Sequence, residues 1–262
     1  MVIHVEQHGQ IRQITMAGPA STQSFSRVFL PQIAQAIDDG LKDAKTKAIV
    51  LTGEGRFFSA GADINAFAQS IEENNASGLI RELTGILHPL LQRMRTSSTI
   101  LIAALNGVSA GGGLGLALAC DARVGTEDAR MAASYAGMGL SPDGGTTWLL
   151  PRLVGEQKAR RFFLSNEIWS GREAFEAGAI DVLVEPSALL PTAIGLAQVW
   201  SSWGTHSKEA TKHLLHVQGD NEFSTHLDHE RTLIEAAGTT AAFREGVRAF
   251  LEKRSPSFTD LD

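Results

Sequence analysis

Thr99-Ile100-Leu101-Ile102-Ala103-Ala104-Leu105 runs without a charge into Asn106-Gly107-Val108-Ser109-Ala110-Gly111-Gly112-Gly113-Leu114-Gly115. The first part reads as a strand buried on both faces. Asn106-Gly107 ends it, and a helix of small residues begins near Gly111. A similar arrangement stands upstream. Lys47-Ala48-Ile49-Val50-Leu51-Thr52 reads as a buried strand, and a small-residue loop follows from Gly53 to Asp63. Strand, glycine-rich turn and helix in alternation predict an α/β fold with crossover connections.

The flanking sequence agrees. Residues 2–7 and 11–16 alternate in polarity around His8-Gly9, which predicts a two-stranded hairpin. Phe25, Val28, Phe29, Ile33, Ala36 and Ile37 share one helical face. Leu79, Leu83, Leu87, Leu90 and Met94 recur at helical spacing, with Pro89 predicting a kink or break near Gly85. Ser170-Gly171-Arg172-Glu173 has the form of a capping box, leading to a strand over Ile180–Val184. After Pro186 the strand signals stop. The expected organisation is an α/β core over 1–190 and a helical region over 191–262.

The chain has 262 residues, 43% hydrophobic and 20% charged, so it can bury a large core and is not disordered. Its net charge of -6 argues against nucleic acid or an anionic membrane as the main partner. One cysteine leaves no intrachain disulfide and no cysteine-based zinc site. No signal-like leader and no long apolar span is visible, so a soluble cytoplasmic protein is expected.

The chemistry concentrates in the two glycine-rich turns, Phe57-Phe58-Ser59-Ala60-Gly61-Ala62-Asp63-Ile64 and residues 106–115. Each follows a strand and opens toward a helix, where backbone N–H groups are unpaired. Two such groups converging on one oxygen make an oxyanion hole, worth roughly 3–4 kcal/mol per donor. The plain alternative is tight turns that let helices pack closely.

Taken together, the two turns with Ala119-Cys120-Asp121, the segment Gly139-Leu140-Ser141-Pro142-Asp143-Gly144-Gly145-Thr146 and the stretch Glu245–Arg254 resemble the crotonase superfamily of enoyl-CoA hydratases and isomerases. The resemblance implies a crotonase-like ββα spiral core and a helical C-terminal oligomerisation region. It implies a homotrimer or dimer of trimers, an acyl-CoA substrate, and no cofactor or metal beyond the coenzyme A that the substrate carries. The thioester oxygen would lie between the N–H groups of Ala62 and Gly112. Ala60, Asp63, Ile64 and Gly111 would line the CoA and acyl site, and Lys253 and Arg254 would be candidate phosphate contacts. Both cations are equally well explained as partners of a helix C-terminus. One departure is Ala20-Ser21-Thr22, where the family often has Lys or Arg.

The resemblance also discriminates among reactions. Hydratases place carboxylates at the positions matching Gly115 and Tyr135, and neither residue can act as a carboxylate. Asp143 is the remaining candidate base. Its surroundings are similar to the ring-1,2-epoxyphenylacetyl-CoA isomerases and Δ3-Δ2-enoyl-CoA isomerases, where one carboxylate moves a proton. A turn aspartate between Pro and Gly is the structural alternative. Chlorobenzoyl-CoA dehalogenases also carry Asp there, with a His matching His88 and an aromatic residue matching Tyr135. Hydration and non-catalytic acyl-CoA binding are further alternatives. Trp148 reads as packing, and Glu127-Asp128 as a solvated turn. Gly107-Val108-Ser109-Ala110-Gly111 matches the G-x-S-x-G elbow of serine hydrolases, with a later histidine such as His206 or His213 as partner.

Overall fold

The computed structural model describes residues 2–258 and Leu261. The expected hairpin forms: β1 (Ile3–His8) pairs antiparallel with β2 (Ile11–Met16), and Gly9 takes a positive φ of 63° in its turn. A short helical turn, α1 (Pro19–Thr22), precedes α2 (Phe29–Lys42), β3 (Ala48–Gly53) and β4 (Phe57–Ser59). Next come α3 (Ile64–Glu72), α4 (Ala76–Thr96), β5 (Ile100–Leu105), β6 (Val108–Ala110) and α5 (Gly112–Ala119). The core continues with β7 (Ala122–Thr126), β8 (Arg130–Ala132), α6 (Thr146–Val154) and α7 (Glu156–Leu164). It closes with β9 (Ile168–Ser170), α8 (Gly171–Ala177) and β10 (Val182–Val184). Four helices follow: α9 (Leu189–Ser201), α10 (Thr205–Val217), α11 (Phe223–Ala237) and α12 (Ala241–Glu252).

Two sheets result, one of six strands ordered β1-β2-β3-β5-β7-β10 and one of four ordered β4-β6-β8-β9. Strands β3, β5 and β7 of the first sheet each hand the chain to a short strand of the second, β4, β6 and β8. That repeating step is the ββα spiral. Glycine makes the corners possible. A Cβ on Gly53 would stand 2.0 Å from the Phe57 carbonyl oxygen, and one on Gly107 would stand 2.1 Å from that of Arg56. Asn106 ties the two corners together. Its Oδ1 accepts from the Gly53 N–H at 2.9 Å, and its Nδ2 donates to the carbonyls of Gly55 and Phe57, each at 3.1 Å.

Helix α5 is apolar all round and buried from Gly113 to Ala119, as a central helix must be. On the far face of the larger sheet, Leu189, Ala193 and Ala197 of α9 pack on Val50, Ile102 and Val124. The capping box at Ser170 and Glu173 forms as expected.

Two expectations need correction. Helix α4 runs unbroken through Pro89. Pro89 and Gly85, whose carbonyl loses its donor, both lie on the exposed face, where water can replace the bond, while Leu79, Leu83, Leu87, Leu90 and Met94 anchor the opposite face in the core. The Gly53–Asp63 loop is interrupted by β4. Residues 259, 260 and 262 of the expected C-terminal region lie outside the described residues.

Candidate active site

Ala62 forms an isolated parallel bridge with Phe25. The bonds run through its neighbours: Phe25 N–H donates to the Gly61 carbonyl at 3.0 Å, and Asp63 N–H donates to the Phe25 carbonyl at 3.4 Å. Ala62 therefore turns its own N–H to the opposite side. Gly112 is the first residue of α5, so its N–H has no intrahelical acceptor. Neither N–H has an acceptor among the described residues. The two turns touch: a Cβ on Gly61, at φ 86°, would come 2.7 Å from the Ala110 carbonyl and 3.6 Å from the Gly112 nitrogen. The Ala62 and Gly112 N–H groups are thus two donors without acceptors among the described residues, on turns that touch.

Asp143 is brought to the same end of α5 by further glycine contacts. A Cβ on Gly144 would lie 3.5 Å from the Gly115 Cα and 3.9 Å from the Gly112 Cα. A Cβ on Gly115 would stand 2.6 Å from the Gly144 carbonyl oxygen. The Asp143-Gly144 turn therefore occupies the space a side chain at position 115 would need. The backbone of Asp143 is fixed through its carbonyl, which accepts from the Tyr135 hydroxyl at 3.0 Å and the Thr146 hydroxyl at 2.9 Å. Its carboxylate Oδ1 lies 2.7 Å from His88 Nε2 on α4. The His88 and Asp143 side chains stay 53% and 37% exposed, so a ligand can reach the pair.

Tyr135 is buried, and burial pushes its phenol up to about 12. The phenol is neutral at ordinary pH and serves as a donor. Ser134, just before it, is held at φ 61°, a conformation that non-glycine residues rarely adopt. A Tyr135→Phe variant is expected to keep the shape of its pH–rate profile across the neutral range, since no Tyr135 ionisation falls there.

The other candidates fall into place unevenly. Asp63 is the N-cap of α3, its carboxylate accepting from the N–H groups of Asn65 and Ala66. Ala60 donates its N–H to the Ser21 carbonyl at 2.8 Å, and Ile64 is exposed at the start of α3. Gly111 takes φ 52° just before the first turn of α5. Arg254 is committed to Glu245 and Glu252, so it is not a free phosphate contact. Lys253 caps α12 in the left-handed conformation, with no side-chain partner among the described residues. The serine-hydrolase alternative fails. Ser109 sits within β6, fully buried, its Oγ without a hydrogen-bond partner, so it has neither base nor access. A fluorophosphonate probe is expected to leave Ser109 unlabelled.

The His88–Asp143 pair and the Gly115–Gly144 contact are the features that no local pattern announces. Among the described residues, no group of three His, Cys, Asp or Glu side chains is placed to hold a metal ion. No helix there is long and apolar enough to cross a membrane.

Residues 6–261 match the family model for enoyl-CoA hydratase/isomerase. The chain is 34% identical to the 1,2-epoxyphenylacetyl-CoA isomerase of Escherichia coli, over 98% of this chain and 97% of the relative. It is 30% identical to the 2,3-dehydroadipyl-CoA hydratase of the same organism, over 97% of each. Among solved structures, Pseudomonas aeruginosa DspI superposes with a TM-score of 0.89 at 34% identity, covering 98% of this chain and 96% of that one. An enoyl-CoA hydratase subunit from Geobacillus kaustophilus superposes with a TM-score of 0.87 at 28% identity, covering 99% and 98%. With free N–H groups at Ala62 and Gly112 beside the Asp143 turn on a crotonase fold, the chain belongs to the enoyl-CoA hydratase/isomerase family of acyl-CoA enzymes.

Proposed function

We propose that this chain is an enoyl-CoA isomerase that works with a single carboxylate, Asp143. The observation that carries the reading is the Gly115–Gly144 contact. It puts the Asp143 turn where a hydratase would need a side chain. The thioester oxygen of a 3-enoyl-CoA accepts from the Ala62 and Gly112 N–H groups. Asp143 takes a proton from the α-carbon, and the electron pair spreads through the double bond onto that oxygen. The two donors stabilise the developing charge. Asp143 then returns the proton to the γ-carbon, giving the 2-enoyl thioester and restoring the carboxylate. One group suffices because it gives back what it took. His88, donating from Nε2 to Oδ1, leaves Oδ2 to face the substrate.

The reading needs no cofactor besides the coenzyme A of the substrate, and a cytoplasmic location is proposed with it. Lys253 is the remaining candidate for a phosphate contact. Phe223, Ile234, Phe250 and Leu251 stand 76%, 72%, 84% and 75% exposed on α11 and α12. Apolar exposure of that extent supports assembly into a trimer or a dimer of trimers through these helices.

The test is to mix the protein with a 3-enoyl-CoA and follow the absorbance of the conjugated product. Isomerisation without 3-hydroxyacyl-CoA is expected. A Gly115→Glu variant probes the carrying observation. Its side chain must displace the Gly144 backbone and with it Asp143, so isomerisation is expected to fall about 100-fold, the scale of an ångström-level misplacement, without gain of hydration. Appearance of hydration in that variant would contradict the reading.

The His88–Asp143 contact also favours a second reading, in which Asp143 attacks a halogenated aromatic ring and expels halide. His88 would then activate the water that hydrolyses the aryl ester. Halide release from 4-chlorobenzoyl-CoA would support it over isomerisation.

A further inference from the structure

At the far end of α5 from Asp143 lies a cavity of about 500 Å³. Its wall includes Arg95, Arg152, Trp148, Trp200, Trp203 and Asp121. The cationic side chains there outnumber the one carboxylate, since Arg123, Lys208 and Lys212 also line it. Three of these cations are spent on the protein itself, Lys208 on the Ser201 carbonyl at 3.1 Å. Arg123 donates to the Cys120 and Ala179 carbonyls and to Asp181, and Lys212 donates to Asp121 and the Thr99 carbonyl.

Arg95 and Arg152 are different. The Arg95 Nε is buried and has no hydrogen-bond partner, which is costly for a charged donor unless something else accepts from it. Arg152 gives one N–H to the Trp148 carbonyl at 2.9 Å and lays its guanidinium over the Trp148 ring at 3.5 Å, with Asp220 4.0 Å away, so its remaining N–H groups have no close acceptor among the described residues. Nearby, the buried Nδ1 of His216 is also unpartnered, with its ring 5.4 Å from that of Trp148. Two incompletely used guanidiniums beside a wall of indoles match a ligand with an anionic head and a flat apolar body. The volume suits a small organic molecule.

We infer that this cavity is a second binding site, separate from the Asp143 site, for a small aromatic carboxylate. Arg95 and Arg152 take its carboxylate and the three tryptophans take its ring. The cavity is lined by Leu118 and Cys120 at the end of α5, and neither Asp143 nor His88 is among its lining residues. Trp148 is in the first turn of α6, immediately after the Asp143 turn, so an occupant bears on the backbone that orients the base.

Three of the four tryptophans line this cavity, so intrinsic fluorescence reads it directly. The probe is benzoate, with inorganic phosphate and benzyl alcohol as controls for head and ring alone. Saturable quenching by benzoate is expected, much weaker with either control. Arg95→Gln and Arg152→Gln should each weaken it about 10–100-fold, the loss of a charged hydrogen bond. Arg152 is 41% exposed, so its variant tests the site without threatening the fold. Quenching that is absent, or unchanged in both variants, overturns the proposal. So does benzoate acting as a simple competitor of acyl-CoA, which would make the cavity an arm of the acyl site.

Discussion

Asp143→Asn is expected to lower kcat for 3-enoyl-CoA isomerisation about 10²–10⁴-fold, the range spanned by positioned general bases. The amide keeps the volume of the carboxylate. It also keeps an oxygen to accept from His88 Nε2, now 2.7 Å from Oδ1. The turn is held by the Asp143 carbonyl through Tyr135 and Thr146, and the substitution does not touch those bonds. What is lost is the ability to hold a proton between its removal and its return. KM should change little, because the Ala62 and Gly112 donors remain. His88→Gln should cost much less, since it removes the orientation of the carboxylate and leaves the base. Steady-state kinetics on both variants check the order. Equal turnover in wild type and Asp143→Asn would remove Asp143 from the mechanism and favour a binding role for the chain.

The largest effect on stability is expected at Arg123. Its side chain is 2% exposed, yet it ends in a charge. The guanidinium reaches the Ala179 carbonyl at 2.7 Å, the Cys120 carbonyl at 3.0 Å and Asp181 at 2.8 Å. Asp181 also accepts from the Arg123 backbone N–H at 2.8 Å. These bonds join the end of α5 and the start of β7 to the segment leading into β10. Arg123→Ala would leave two buried carbonyls unsatisfied and open a cavity. The expected cost is about 3–5 kcal/mol, from the unsatisfied carbonyls and the cavity together. Reversible denaturant unfolding measures it. Asp181, 40% exposed, can be hydrated when its partner is gone, so Asp181→Asn should cost less than Arg123→Ala.

The parts of the fold that could be read from the chain are those with local signals. Ile100–Leu105 is apolar throughout because both faces of β5 are buried, and the capping box at Ser170 is written in four consecutive residues. The short strands β4, β6, β8 and β9 span three residues each, too few to show a period. Their existence depends on pairing with each other across the spiral. Pro89 misleads for the opposite reason: a strong local signal is overridden by the packed leucine face of α4. In the site, the glycine-rich turns announce free N–H groups, whereas Asp143 stands out only through the family resemblance, which implies carboxylates at the positions of Gly115 and Tyr135. The His88–Asp143 contact joins residues 55 apart, and the Gly115–Gly144 contact is made by two residues without side chains. Neither leaves a trace in local sequence.

The most direct test of the account is deuterium exchange. The protein is incubated with a 3-enoyl-CoA in D2O, and the recovered thioester is analysed by mass and by position of label. Exchange at the α-carbon with formation of 2-enoyl-CoA, no 3-hydroxyacyl-CoA, and loss of both processes in Asp143→Asn is the predicted result. Rapid accumulation of 3-hydroxyacyl-CoA, or exchange that persists in Asp143→Asn, would contradict it.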